Sequence, residues 1–371
     1  VASVEHAQVK RLMDRVRREI DEGLLPSCQI ALGLEGEIVA AENFGDARPD
    51  DRYCLFSATK PFVASTVWTL LTEGALRLEE SVAVYFPEFG ANGKRQITVE
   101  QVMLHTSGFP HAPMGPPEWY DRGARIGRMA SWTLNWVPGT RYEYHPTSAH
   151  WVLAELIERA TGRDYRDVVE ERVTGPAGLP RILGIRREQQ GGIRNLRLVG
   201  DHATADELER VFGMRALPET EVTDEAVMRF NEAAVRELGV PGGGGVGRAV
   251  DLALFYQVLL HDPDGIWDRA MRTDGISRVR NSLPDPMGVP ANRSLGFLIA
   301  GDDGRSHIRG FGRTVSPRAF GHNGAGGQLA WADPATGLSL GYVTDGYDRH
   351  EIRQPRRGTA ISSLAAAVIR A

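Results

Sequence analysis

Hydrophobic and polar residues alternate along this chain with two different periods. The opening "VASVEHAQVKRLMDRVRREIDEG" places apolar residues at helical spacing among many charges, which predicts an amphipathic surface helix. In "SCQIALGLEGEIVAAENFG", residues 27–45, two strand-like runs meet at Glu-Gly, the signal of a hairpin. From 62 to 73, "FVASTVWTLLTE" is again helical and stops at Gly74. "TVEQVMLHTSG" (98–108) predicts a short helix with an acidic first turn. "SAHWVLAELIERATG" (148–162) predicts a longer one, capped by a serine and ended by a glycine. Residues 185–240 are charged and weakly patterned, as in a small helical or lid-like insertion. Near the end, "RSLGFLIAG", "GQLAWAD" and "GLSLGYVTD" are short apolar runs split by "GAGG" and "DPATG", an antiparallel meander. A last helix is predicted over "ISSLAAAVIRA".

Strands therefore lie toward both ends of the chain and helices fill the middle. The expected class is α+β: an antiparallel sheet built from residues 1–60 and 290–371 and flanked by helices. A mostly helical region, 61–289, is inserted, with a lid-like segment at about 185–235.

Composition narrows the field. The chain has 371 residues, enough for a large core in one or two domains. Its net charge of −5 argues against a general nucleic-acid surface. The one dense basic run, "RHEIRQPRR" (349–357), is expected to be a solvated turn. Two cysteines, Cys28 and Cys54, exclude a disulfide scaffold and a cysteine-rich zinc site but permit one disulfide. No apolar run reaches membrane-spanning length and no apolar signal core opens the sequence. The expectation is a cytoplasmic protein without nucleic-acid or membrane partners; nothing indicates an oligomer.

Chemistry enters at "FSATKPF", residues 56–62. Ser57 and Lys60 are three apart at a helix start, where they share a face and where backbone N–H groups favour an oxyanion. Taken alone, the tetrapeptide reads sooner as a capping serine followed by a solvated lysine. Pro61 disfavours helical geometry at Lys60. In "PGTRYEYHPTSAHW" (138–151), Tyr144 precedes a helix start, where a loop can present its phenol to a cleft; beside a cationic lysine a tyrosine can serve as general base. In "FGHNGAGGQLAWAD" (320–333), small residues permit close approach of a ligand, His322 can polarise it, and the Ala325 N–H can donate to an oxyanion. "GGGGVG" (242–247) fits a dinucleotide fingerprint, but a helical stretch precedes it instead of a strand. His105 and His111 invite a Ser-His-Asp triad, yet no G-x-S-x-G elbow occurs, and no zinc-binding spacing either.

In this order, "LFSATKPF", "LRLEESVAVYFPEF", "TVEQVMLHTSGFP", "VPGTRYEYHPTSAHWVLAELIERATG", "GGGGVGRAVDLALFYQVLL" and "GHNGAGGQLAWADPATGLSLGYV" resemble the penicillin-recognising serine hydrolases. That group includes class C β-lactamases, D-alanyl-D-alanine carboxypeptidases and, as the nearest likeness, family VIII carboxylesterases. The resemblance implies a β-lactamase/transpeptidase-like fold and a cofactor-free, metal-free reaction through an acyl-serine. Ser57 is then the nucleophile, Lys60 and Tyr144 the general-base pair, and the Ser57 and Ala325 N–H groups the oxyanion hole. His322, Asn323 and Gly324 take the place of the family's Lys-Thr-Gly and would contact substrate. Two departures stand out. Tyr144-His145-Pro146 replaces Tyr-x-Asn or Tyr-x-Ser, so no side-chain amide is left there to orient the lysine. His322 also removes the third motif's fixed cation. Both changes favour a small-molecule ester over a β-lactam or peptide. The alternatives are a β-lactamase, a D-amino peptidase or amidase, an acyltransferase, and a non-catalytic scaffold. Trp119, Trp132, Trp136 and the 185–235 region are either walls of an acyl pocket or core and lid surface, core being the expectation for Trp132 and Trp136.

Overall fold

The computed structural model describes residues 3–217 and 222–370. Helix α1 (His6–Asp21) leads into strands β1 (Ser27–Leu34) and β2 (Glu37–Gly45). They are joined by Glu35 and Gly36, whose φ values of 54° and 87° suit the tight turn of a twisted hairpin. Helix α2 (Lys60–Thr72) and helix α3 (Ser148–Thr161) form the middle of the helical region, with α4 (Ala249–His261) after it. The chain returns through β3 (Leu298–Ile299), β4 (Phe320–Gly321), β5 (Leu329–Asp333) and β6 (Leu338–Thr344), then ends in α5 (Arg353–Ala366). The six strands form one sheet in the order β2-β1-β6-β5-β4-β3, with every neighbour antiparallel. The amino-terminal hairpin thus joins the carboxy-terminal meander through β1 and β6, where Ser339 pairs with Gly33 and Thr344 with Cys28.

Side chains alternate between two helical layers, as the pleat requires. Ile30, Leu32, Leu340 and Tyr342 pack with Leu12 and Val16 of α1 and with Ile361 and Ala365 of α5. Ala31 and Ala330 face the other way and join a core containing Leu252 and Phe255 of α4, Phe62 and Trp68 of α2, and Trp151 of α3. Small residues on that side let α4 approach closely: a Cβ on Gly341 would lie 2.1 Å from the Ala249 carbonyl oxygen.

Several boundaries differ from expectation. The last helix starts at Arg353, eight residues earlier than its apolar run suggests, because the basic run is not a solvated turn. Arg357 is 3% exposed and bonds Glu19 of α1 and Asp348, while Arg353 also bonds Asp348. Charge pairing, invisible to apolar periodicity, extends the helix. Residues Ile369–Arg370 leave it and pair with Ser3–Val4. Of the predicted strand at 293–301, only Leu298–Ile299 joins the sheet. The 98–108 helix shortens to Val99–Met103, started by a Thr98–Gln101 capping box. The final α3 turn ends as expected, at Gly162 with φ 69°. In the 185–235 stretch, Arg197–Val199 pairs with Gly346–Asp348, and helices span Ala205–Phe212 and Asp224–Met228. Residues 218–221 of that stretch, and the outermost residues of the first and last predicted helices, lie outside the described residues. Cys28 and Cys54 are both free and buried, and burial pushes each thiol up to about 12. No helix among the described residues is long and apolar enough to cross a membrane.

Candidate active site

Ser57 lies in a 3₁₀ turn, Phe56–Thr59, that runs straight into α2. A 3₁₀ turn eclipses positions i and i+3, so Lys60 stands over Ser57, and its Nζ donates to Ser57 Oγ at 3.1 Å. Lys60 is helical (φ −56°, ψ −41°) in spite of Pro61, because the turn's hydrogen bonds and full burial outweigh the proline's bias. The turn is fixed from outside as well. Tyr53–Cys54 pairs with Val246–Gly247, the Leu55 N–H donates to the Gly245 carbonyl, and the Gly245 N–H to Thr59 Oγ1. Phe56 takes φ 45°, a left-handed conformation rare for a bulky residue, held by edge contacts with Phe230 and Tyr347.

Lys60 also donates to the carbonyls of Pro146 (2.7 Å) and Gly242 (2.6 Å). Three acceptors match the three N–H bonds of an ammonium. This corrects the concern over Pro146: the main chain supplies the acceptor that the missing amide would have provided. It also gives the 242–247 glycines a use that their sequence did not reveal. A Cβ on Gly242 would sit 3.3 Å from Lys60 Nζ and 3.2 Å from the Pro146 oxygen, so its absence lets the backbone reach the amine.

Tyr144 reaches the centre from the loop before α3, and its hydroxyl donates to Ser57 Oγ at 2.9 Å. Histidines hold that loop. The His145 N–H donates to His105 Nδ1, His145 Nε2 accepts from the Phe109 N–H, and its Nδ1 donates to the Glu143 carbonyl at 2.7 Å. Burial above all pushes His145 down to about 3 and holds His105, His150 and His322 well below the ordinary histidine value. The positive charges of Arg293 and Lys60 add to the effect on His105, His150 and His322. These rings are neutral at pH 7, and His105 Nδ1 is engaged by the His145 N–H. They do not gather as ligands: no group of three His, Cys, Asp or Glu suited to a metal occurs among the described residues.

The third motif follows β4. His322 is buried with its ring 5.8 Å from that of Tyr144, and its Nε2 has no hydrogen-bond partner. Asn323 is a framework residue on its side-chain side: Nδ2 bonds the Gly310 carbonyl and Oδ1 accepts from the Ala330 N–H. Gly324 presses against the nucleophile turn, since a Cβ there would lie 2.2 Å from the Leu55 oxygen. Ala325, next in sequence, lines the same cavity as Ser57.

That cavity, about 330 Å³, is walled mainly by apolar groups: Met114, Pro116 and Trp119 on one side, and Val222, Val227 and Phe230 from the insertion on the other. Trp119 is thus a wall. Trp132 is core, stacked on Phe109 at 5.6 Å, whereas Trp136 is half-buried and lines a separate cleft with Tyr142 and Glu143. The insertion's charges mask this contribution in the sequence, because only one face of its short helices turns inward. Sequence reasoning missed the carbonyls of Pro146 and Gly242, which carry no side-chain signal, and Arg293, whose guanidinium lies 5.0 Å from the Tyr144 ring centre.

A family model described as Beta-lactamase matches residues 9–364, and the chain belongs to that family. It is 28% identical over 311 residues to Esterase/beta-lactamase LipL of Mycobacterium tuberculosis, covering 79% of this chain and 69% of that one. A putative D-alanyl-D-alanine carboxypeptidase of Escherichia coli is 25% identical over 373 residues, covering 90% of this chain and 81% of the other. Among solved structures, a family VIII carboxylesterase aligns with a TM-score of 0.77 at 24% identity, over 97% of this chain and 98% of its own. A penicillin-binding protein homolog from Caulobacter crescentus gives 0.78 at 24%, over 99% of both. The fold is β-lactamase/transpeptidase-like, and the protein is an enzyme of that hydrolase family.

Proposed function

We propose that this enzyme is a serine carboxylesterase acting on small or medium esters with an apolar acyl group. The observation that carries the proposal is the convergence of Lys60 Nζ and the Tyr144 hydroxyl on Ser57 Oγ, at the wall of a mostly apolar cavity. With Lys60 as the ammonium, the acting base is Tyr144 in its phenolate form, which takes the Ser57 proton as Oγ attacks the ester carbonyl. The Ser57 and Ala325 N–H groups hold the resulting oxyanion, an effect worth about 3–4 kcal/mol per donor removed in comparable sites. When the tetrahedral adduct collapses, the C–O bond to the alcohol breaks and Tyr144 returns the proton to the departing oxygen. Water then attacks the acyl-enzyme with the same phenolate as base, releasing the acid and restoring Ser57.

Neutral His322 in place of a fixed lysine supports the preference for esters, because a peptide or β-lactam carboxylate finds no ammonium there. An alkoxide also leaves more readily than an amide nitrogen and needs less assistance. LipL, an esterase/β-lactamase by description, and the carboxylesterase neighbour point the same way. The test is a side-by-side assay of p-nitrophenyl acetate, butyrate, octanoate and laurate, nitrocefin and a D-Ala-D-Ala peptide. Turnover of the butyrate or octanoate ester should dominate; turnover of nitrocefin or peptide without ester turnover overturns the proposal. A fluorophosphonate should label Ser57, and absence of an adduct would favour a binding scaffold.

A further inference from the structure

Arg293 is 3% exposed, and no ion pair to it occurs among the described residues. Its Nε donates to the Tyr142 hydroxyl at 2.8 Å, while its Nη1 is buried with no hydrogen-bond partner. An uncompensated guanidinium inside a protein is costly, so its persistence calls for a use. The backbone holds it firmly. The Arg293 N–H donates to the Asn281 carbonyl, its own carbonyl accepts from the Arg280 and Asn281 N–H groups, and Asn292 before it takes φ 44°. The segment therefore places one side chain at a set position, with Cζ 5.0 Å from the Tyr144 ring centre. Lys60 Nζ lies at nearly the same distance, 5.1 Å.

We infer that Arg293 is a positioning residue for the reaction, a second fixed cation that favours negative charge on the Tyr144 oxygen while Tyr144 handles the Ser57 proton. The inference rests on the proposed role of Tyr144 as base. It supplies from the segment before β3 the positive charge that His322 does not. Among the described side chains, the histidines around Tyr144 add no charge of their own. His105, whose ring lies 4.9 Å away, and His322, at 5.8 Å, are neutral, as are His145 and His150 behind them. The neighbouring Glu143 carboxylate engages His111 at 3.0 Å. Two unit charges at such separation in a partly desolvated site interact strongly enough to move a titration by about one unit or more.

The experiment is the pH dependence of kcat/KM on p-nitrophenyl butyrate for the wild type, Arg293→Met, Arg293→Gln and Arg293→Lys, with melting temperatures in parallel. Removing the charge should displace the acidic limb by about one unit or more toward alkaline pH, with the alkaline plateau recovering to within about threefold of wild type. Arg293→Lys should restore most of the displacement. Arg293→Gln keeps hydrogen-bonding groups without the charge, so the test survives if Arg293→Met does not fold. A uniform loss of rate with the limb unmoved in a folded neutral variant would make Arg293 merely structural and overturn the inference. Near-normal activity in Tyr144→Phe would instead overturn the role of Tyr144 itself, so the two failures are distinguishable. The tyrosinate absorbance difference between Ser57→Ala and Ser57→Ala/Tyr144→Phe, followed against pH, reports the same ionisation without turnover and should move when Arg293→Met is added.

Discussion

Lys60 and Arg357 are two cations sealed from solvent on opposite sides of the sheet, and the protein treats them differently. Arg357 lies between α5 and α1 with two carboxylates, Glu19 and Asp348, so its charge is balanced where it stands. Lys60 donates to the Pro146 and Gly242 carbonyls and to Ser57 Oγ, so the atoms that hold it include the nucleophile itself. Arg293 resembles Lys60, with a phenol as its side-chain partner. A balanced charge serves packing, because its field closes on its partners. A cation set beside reacting atoms projects its field onto them, and here those atoms belong to Ser57 and Tyr144.

The contrast is open to attack, and the widest effects should fall on the side of Ser57 and Tyr144. Ser57→Ala should lower kcat/KM on the order of a million-fold with the melting temperature nearly unchanged. Tyr144→Phe should lower it about 10²- to 10⁴-fold, checked on the same ester. On the balanced side the currency changes from rate to stability. Arg357→Met takes one of two arginine partners from each buried carboxylate, leaving Arg15 on Glu19 and Arg353 on Asp348, and should cost at most about 3–5 kcal/mol in a urea unfolding curve. The folded fraction should keep the wild-type kcat/KM; a large kinetic loss would show that the two regions are not separate.

Acid separates them more gently. Burial keeps the histidines around Tyr144 neutral in the fold, whereas the unfolded chain protonates them near pH 6.5. Below that pH the unfolded state binds more protons, so stability is full above about 6.5 and falls progressively toward about 3. Asp348 behaves differently. Burial raises its pKa, but the bonds from Arg353 and Arg357 outweigh this and hold it below the usual carboxylate value of 3.8. Its contribution is lost only as pH falls below that range. Melting temperature measured from pH 8 to 5 should therefore decline in the wild type. The decline should be shallower in a folded His145→Gln variant and unchanged in form in Arg357→Met.

Much of the architecture was legible in the linear pattern because it depends on local chemistry. The Glu-Gly turn, the glycine after α3 and the alternating runs at both ends each signal their element over a few neighbouring residues. Ser57, Lys60, Tyr144, His322 and Ala325 were recognisable as side chains or small residues in ordered motifs. What the sequence could not convey is chemistry carried by main-chain atoms or by pairs far apart. The acceptors of Lys60 are carbonyls of residues 86 and 182 positions away. The pairing of Arg357 spans 338 positions to Glu19, which is why a buried helix start looked like a solvated turn. Arg293 gave no signal either, being a lone arginine in a loop until folding set it beside Tyr144.

The sequence by itself determined most of the elements, the sheet's two-ended origin and which side chains are candidates for the reaction, since periodicity, turn chemistry and residue type are properties of short stretches. Only the tertiary structure decided which charges are cancelled and which are left to act. That outcome depends on distances between segments, and electrostatic energy is set by separation and burial, quantities that no linear spacing contains.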